Sequence, residues 1–229
     1  MHWIVLMSLA LLASCSSQSD KAVTGSDKTS TSSVSPATTS SSCIVPELNG
    51  CNLYGRDFSG AYLRQAQMAN TDLRGANLSG AFLRQADFEN ALLIDANLSN
   101  ANMPEVFMRN ANLANANLSG VKISLADLSN ANFSGVDFTG ATISANFTDS
   151  KLVSANFSDA DLDGSYFVNA DLKYAFFGRA KLTNVDLTDA DLTNADLTDA
   201  DLTGATLNKT ILTNAVLKDA KMPAGWTAP

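Results

Sequence analysis

The sequence predicts an all-β solenoid, a backbone wound into stacked coils, and three of its features carry that reading. A large apolar residue recurs at every fifth position, from Leu53 through Phe58, Leu63 and Met68 to Ile143, and again from Phe147 through Leu152 to Met222. Two residues before nearly every such anchor sits a small residue, usually Ala, as at Ala76, Ala96, Ala131, Ala190 and Ala200. Asn or Asp usually fills the place between them, and Ser, Thr, Gly, Asn or Asp follow.

A period of five excludes the common elements. On an α-helix, five residues at ~100° each move the apolar stripe by ~140° net and scatter it around the cylinder. On a straight strand an odd period sends successive anchors to opposite faces. The spacing is satisfied only where the backbone turns a corner once per repeat. The small residue and the anchor, two apart on one short extended segment, then both point inward, so Leu118 is inward and Asn117 outward. The polar residues face out or build the corner, where Asn, Asp, Ser and Gly are favoured. Each inward Leu or Phe contributes about 2 kcal/mol of burial.

Tandem Ala-Asp/Asn-Leu-x-x units resemble the pentapeptide-repeat family over about three quarters of the chain. The resemblance implies a right-handed quadrilateral β-helix over residues 53–222, with four repeats per coil. At ~4.8 Å between neighbouring strands, about nine coils make a rod of about 40 Å. The longer period of a leucine-rich solenoid does not fit.

Residues 1–14 read as an export signal. The apolar run Ile4 to Ala13 is shorter than the roughly 20 residues that span a bilayer and matches the apolar core of a secretory signal. It ends in Leu12-Ala13-Ser14-Cys15, which resembles the bacterial lipobox, and that resemblance implies acylation of Cys15. Met1-His2-Trp3 lacks the Lys or Arg usual at this point. Ser16, where an Asp would retain a lipoprotein at the inner membrane, implies by the same resemblance a place at the outer membrane, on its periplasmic face or at the surface. After Cys15, residues up to Ser42 are almost all Ser, Thr, Ala, Gly, Asp and Lys, with too little apolar surface to fold. Residues 15–42 are therefore a lipidated tether, whose expected partner is the membrane.

Residues 43–52 are expected to cap the first coil, with Ile44-Val45-Pro46 and Leu48 over its open core. Cys43 and Cys51 flank them, and they either pair, as an oxidising compartment permits, or remain two buried thiols. Ile143 to Phe147 spans four residues instead of five, so a corner in Ser144-Ala145-Asn146 is expected to tighten. With that break allowed for, Phe138, Phe157 and Phe177 should stack in one interior column and Phe147 and Phe167 in another. Residues 223–229 end the pattern, with Trp226 expected across the last coil.

No catalytic constellation is visible. The single His, His2, lies in the signal, so His-based triads and HExxH sites are excluded from the mature chain. No CxxC pair, phosphate loop or buried-looking carboxylate pair appears, so no enzyme, cofactor, metal or small-molecule substrate is expected. The formal net charge of −8 disfavours a hold on nucleic-acid phosphates. Asp186, Asp189, Asp191, Asp196, Asp199 and Asp201 form an acidic belt that reads as a solvated face rather than a calcium site, because a flat wall converges too few oxygens.

The outward positions are mostly small and polar, so the exceptions stand out. Tyr62 and Phe82 precede their anchors twenty residues apart, and Arg64 and Arg84 follow them, with Gln65 and Gln85 alongside. Phe107 and Arg109 extend this patch onto the neighbouring wall. Aromatic residues and Arg are enriched at binding hot spots, whereas the same Tyr62–Phe82 pair also reads as a cross-strand contact of under about 1 kcal/mol.

Two functions follow as expectations. The first is a non-catalytic, lipid-anchored interaction or display module with an envelope protein as partner. The second comes from resemblance to the quinolone-resistance pentapeptide proteins, acidic rods that mimic B-DNA and act on topoisomerases. The export signal opposes it, as does the lack of a counterpart to their C-terminal dimerisation element and projecting loops.

Overall fold

The structure is a computed structural model that describes residues 47–227. Cys15, the tether and Cys43 lie outside the described residues, as does the rest of the segment read as an export signal.

Parallel bridges link Glu47 to Gln67, Asn52 to Asp72, Asp57 to Asn77 and Tyr62 to Phe82, and they recur at five-residue steps as far as Asp201 and Lys221. A residue therefore pairs with the one 20 positions on, or 19 on where the pair spans the break, as from Asn132 to Lys151, and each coil has four walls. We number the walls by their bridge positions: wall one holds Glu47, Gln67, Asp87 and Phe107, wall two begins at Asn52, wall three at Asp57 and wall four at Tyr62. Extended segments are too short to register as strands almost everywhere, because a corner interrupts them every five residues.

The corners explain the polar part of the repeat. At most of them the N–H of the small residue donates to the carbonyl of the anchor three before it, as from Ala61 to Phe58 (3.0 Å) and from Ala96 to Leu93 (3.0 Å). The residue just before the small one is left-handed, with φ of 58° at Asn70, 57° at Asn100 and 64° at Gly120. A type II turn demands positive φ there, which Gly and Asn adopt at least cost. At Gly120 the choice is also steric, since a Cβ would come within 2.6 Å of Asn100 Oδ1 from the coil below.

Inside, the anchors from Met68 to Leu202 are no more than 3% exposed, and Leu118 is fully buried while Asn117 is exposed. The phenylalanine columns form as the spacing implies. Phe138 stacks on Phe157 at 4.7 Å and Phe157 on Phe177 at 5.0 Å, while Phe147 stacks on Phe167 at 4.8 Å. The two columns meet edge to face, as between Phe147 and Phe157 at 6.3 Å. Both arrangements suit the ring quadrupole.

The expected tight corner at Ser144-Ala145-Asn146 is instead an absent one. Two named strands pair in parallel here, β1 (Lys122–Asp127) and β2 (Thr142–Asn146). Ile123 lies opposite Ile143, Ser124 opposite Ser144, and Ala126 opposite Ala145, so Leu125 has no counterpart. Dropping one residue removes the left-handed position, and no residue between Gly140 and Asp149 has positive φ. What remains alternates like an ordinary strand: Ile143, Ala145 and Phe147 are buried, and Ser144 between them is exposed.

The N-terminal end also differs from expectation. Leu48 is a core anchor rather than a cap: its N–H donates to the Gln67 carbonyl at 2.7 Å, Glu47 bridges Gln67, and its side chain is 2% exposed. The five-residue spacing already held at Leu48, so the solenoid includes residues 47–52. Cys51 is buried and disulfide-bonded, to a partner outside the described residues. At the other end Leu207, Leu212, Leu217 and Met222 are only partly buried. Trp226 follows a turn closed by its N–H to the Pro223 carbonyl (3.1 Å) and is itself half-buried.

Candidate interaction surface

The solenoid places the residues singled out on wall four, on wall one, at the corner between them and, for Arg109, at the corner after wall one. Tyr62 and Phe82 are bridge partners on wall four, and their rings stack at 4.6 Å with planes 4° apart. They remain 72% and 38% exposed. The corner carries a ladder of side chains, one per coil. Gln65 Nε2 donates to Gln85 Oε1 (3.0 Å), and Gln85 Nε2 donates to Glu105 Oε2 (2.6 Å). Arg84 donates to the other Glu105 oxygen at 2.7 Å. Arg64 forms no ion pair among the described residues.

Phe107 lies on wall one, 51% exposed. Arg109 sits at the next corner and turns toward Asp127 of the following coil, at 2.6 Å. That carboxylate raises the Arg109 pKa further above its ordinary value. The aromatic and glutamine columns thus form as the twenty-residue spacing implies, whereas Arg84 and Arg109 are each drawn to a carboxylate.

Two contributors escape the sequence reading. Glu105 completes the corner ladder, and its signal was its place twenty residues beyond Gln85. Leu125 stands one coil further along the same corner, 82% exposed with φ 53°. A leucine in a slot otherwise held mostly by Gly, Asn and Asp was a legible exception.

The acidic belt is built into the turns. Asp186, Asp191, Asp196 and Asp201 each accept from the N–H and the hydroxyl of the Thr two residues on. Those contacts hold the carboxyl of Asp201, aided by Lys221, down to about 2. Among the described residues no three acidic, His or Cys side chains cluster as metal ligands do, and no helix is long and apolar enough to cross a membrane.

A four-walled solenoid with five-residue corners and outward polar ladders defines the class of protein. A family model described as pentapeptide repeats matches residues 51–90, 91–130, 108–144, 143–179, 160–199 and 180–219, and the chain belongs to that family. Its members are generally structural or interaction modules rather than enzymes. Among solved structures, the chain is similar to HetL, a pentapeptide-repeat protein involved in heterocyst differentiation regulation in the cyanobacterium Nostoc sp. strain PCC 7120. The two share 28% identity over 80% of this chain and 94% of that one, with a TM-score of 0.57. Trypsin-treated QnrB1, a plasmid-mediated fluoroquinolone resistance protein, shares the fold at 22% identity over 75% of this chain and 86% of that one, with a TM-score of 0.62. These relatives form right-handed quadrilateral β-helices. No match was found among curated protein sequences.

Proposed function

We propose that the protein is a non-catalytic, lipid-anchored solenoid that serves as a rigid interaction or display module at the cell envelope, at the outer membrane. The anchor is Cys15, and the partner surface is the edge bearing Tyr62, Arg64, Phe82 and Arg84, extended by Phe107 and Arg109. The observation that carries the reading is the concentration of exposed rings and guanidinium groups on this edge. Arg64 there has no carboxylate partner among the described residues.

The address is tested by feeding cells a lipid label. The wild type takes up label and fractionates with membranes, whereas Cys15→Ala stays unlabelled and is soluble or unprocessed. A wild type without label, found in the cytosol, overturns the anchor. The surface is tested by crosslinking with a Tyr62→Ser, Arg64→Ser, Phe82→Ser, Arg84→Ser variant. It folds and is lipidated but loses the envelope protein that crosslinks to the wild type, and unchanged crosslinks return the edge to ordinary wall.

A second reading, mimicry of duplex DNA toward a topoisomerase, draws on the Asp186–Asp191–Asp196–Asp201 series and on the fold shared with QnrB1. Inhibition of supercoiling by the purified protein, together with cytosolic fractionation, would establish it in place of the first.

A further inference from the structure

A shallow depression of about 470 Å³ lies where the wall-four corner meets wall one, lined by Glu47, Gln65, Gln67, Gln85 and Phe107. We propose that it is a saccharide-binding site. The proposal rests on this geometry and not on the lipid anchor.

The chemistry of the lining narrows the class. Three carboxamides converge, and the protein has already fixed their orientation: Gln65 donates to Gln85, Gln85 to Glu105, and Gln67 Nε2 to the Gln65 carbonyl at 3.2 Å. Each amide nitrogen keeps a second hydrogen, and Gln65 and Gln67 keep side-chain carbonyl oxygens that accept from no described group. The lining therefore offers both donors and acceptors, and the Glu47 carboxylate adds acceptors.

Phe107 supplies the apolar element. Tyr62 and Phe82 cover one face of each other, whereas no ring among the described residues stacks on Phe107. A pyranose ring matches this pairing, because each hydroxyl both donates and accepts while its C–H face is apolar. A phosphorylated ligand would meet the Glu47 carboxylate, and no Lys or Arg is among the lining residues. A purely apolar ligand would find one ring among amides.

The test uses detergent-solubilised full-length protein with two soluble probes, β-1,4-linked N-acetylglucosamine oligosaccharides and maltooligosaccharides, followed by saturation-transfer NMR and calorimetry. Saturable binding of at least one probe is expected, weakened tenfold or more in Phe107→Ser and in Gln85→Ala. Both replaced side chains are outside the core, and unchanged thermal melting shows that the variants remain folded. The preferred probe distinguishes an acetamido sugar chain from a plain glucan. No saturable binding of either probe, or binding equal to wild type in both variants, overturns the proposal. So does an envelope protein as the sole ligand of this depression.

Discussion

The Ser165 hydroxyl supplies the link to Ile143 that Ala145 cannot make itself. At most regular corners the small residue donates its N–H to the anchor three before it, but at the break Ile143 is only two residues from Ala145. Ser165, stacked one coil above Ala145 and fully buried, inserts its hydroxyl between them. It accepts from the Ala145 N–H at 3.2 Å and donates to the Ile143 carbonyl at 3.1 Å.

Ser165→Ala should therefore destabilise the protein by about 1–3 kcal/mol, the cost of stranding buried backbone groups. Ser158→Ala, which removes a hydroxyl bonded only to the partly buried Asn156 carboxamide at 2.7 Å, should cost under about 0.5 kcal/mol. Urea denaturation compares the two, and equal midpoints would remove Ser165 from the defect's support.

The inward and outward assignment is tested at neighbouring residues. Leu118→Asp should abolish soluble folding, since an unpaired carboxylate among fully buried side chains costs several kcal/mol. Asn117→Asp should be nearly silent. An aspartate retains the Oδ1 that accepts from the Ser119 N–H at 2.9 Å and from its hydroxyl at 2.7 Å. Similar melting temperatures for both would contradict the wall geometry.

Stability should decline as pH drops from about 4 toward 2. Asp201 has a carboxyl pKa depressed from 3.8 to about 2, so the stabilisation it gives is complete above the higher value and lost through the lower one. Asp57, Asp159 and Asp163 are shifted the same way by their hydrogen-bond donors. Asp201→Asn should flatten part of the acid limb of a denaturation series, and an unaltered limb would show that its turn contacts are not linked to folding.

Most of the interior was legible because one constraint governs it. With the small residue and the anchor two apart and a corner every five, the sequence determines which side chain faces in, and a coil of twenty residues, nineteen across the break, then places Phe138 under Phe157. The defect was legible in position but not in form. Counting showed a missing residue between Ile143 and Phe147, yet only the backbone shows a corner replaced by straight strand and a hydroxyl borrowed from the next coil. The depression was illegible for a different reason. It depends on how far Gln67 and Phe107 project on either side of the shorter Asp87, a matter of side-chain reach rather than of period.

The backbone ladder has a mechanical consequence. Every bond of the type Leu53 N–H to Asp72 carbonyl or Asp72 N–H to Cys51 carbonyl joins a coil only to the one beside it. A pull applied at the N-terminal coil, against a fixed C-terminus, therefore concentrates on the few bonds at the point of attachment, whereas further along the same force is shared by all the bonds between two coils. Under force the rod should peel, one turn after another, rather than rupture as a block. Each event should free about 20 residues and lengthen the chain by roughly 65–70 Å, a staircase that an optical trap would resolve.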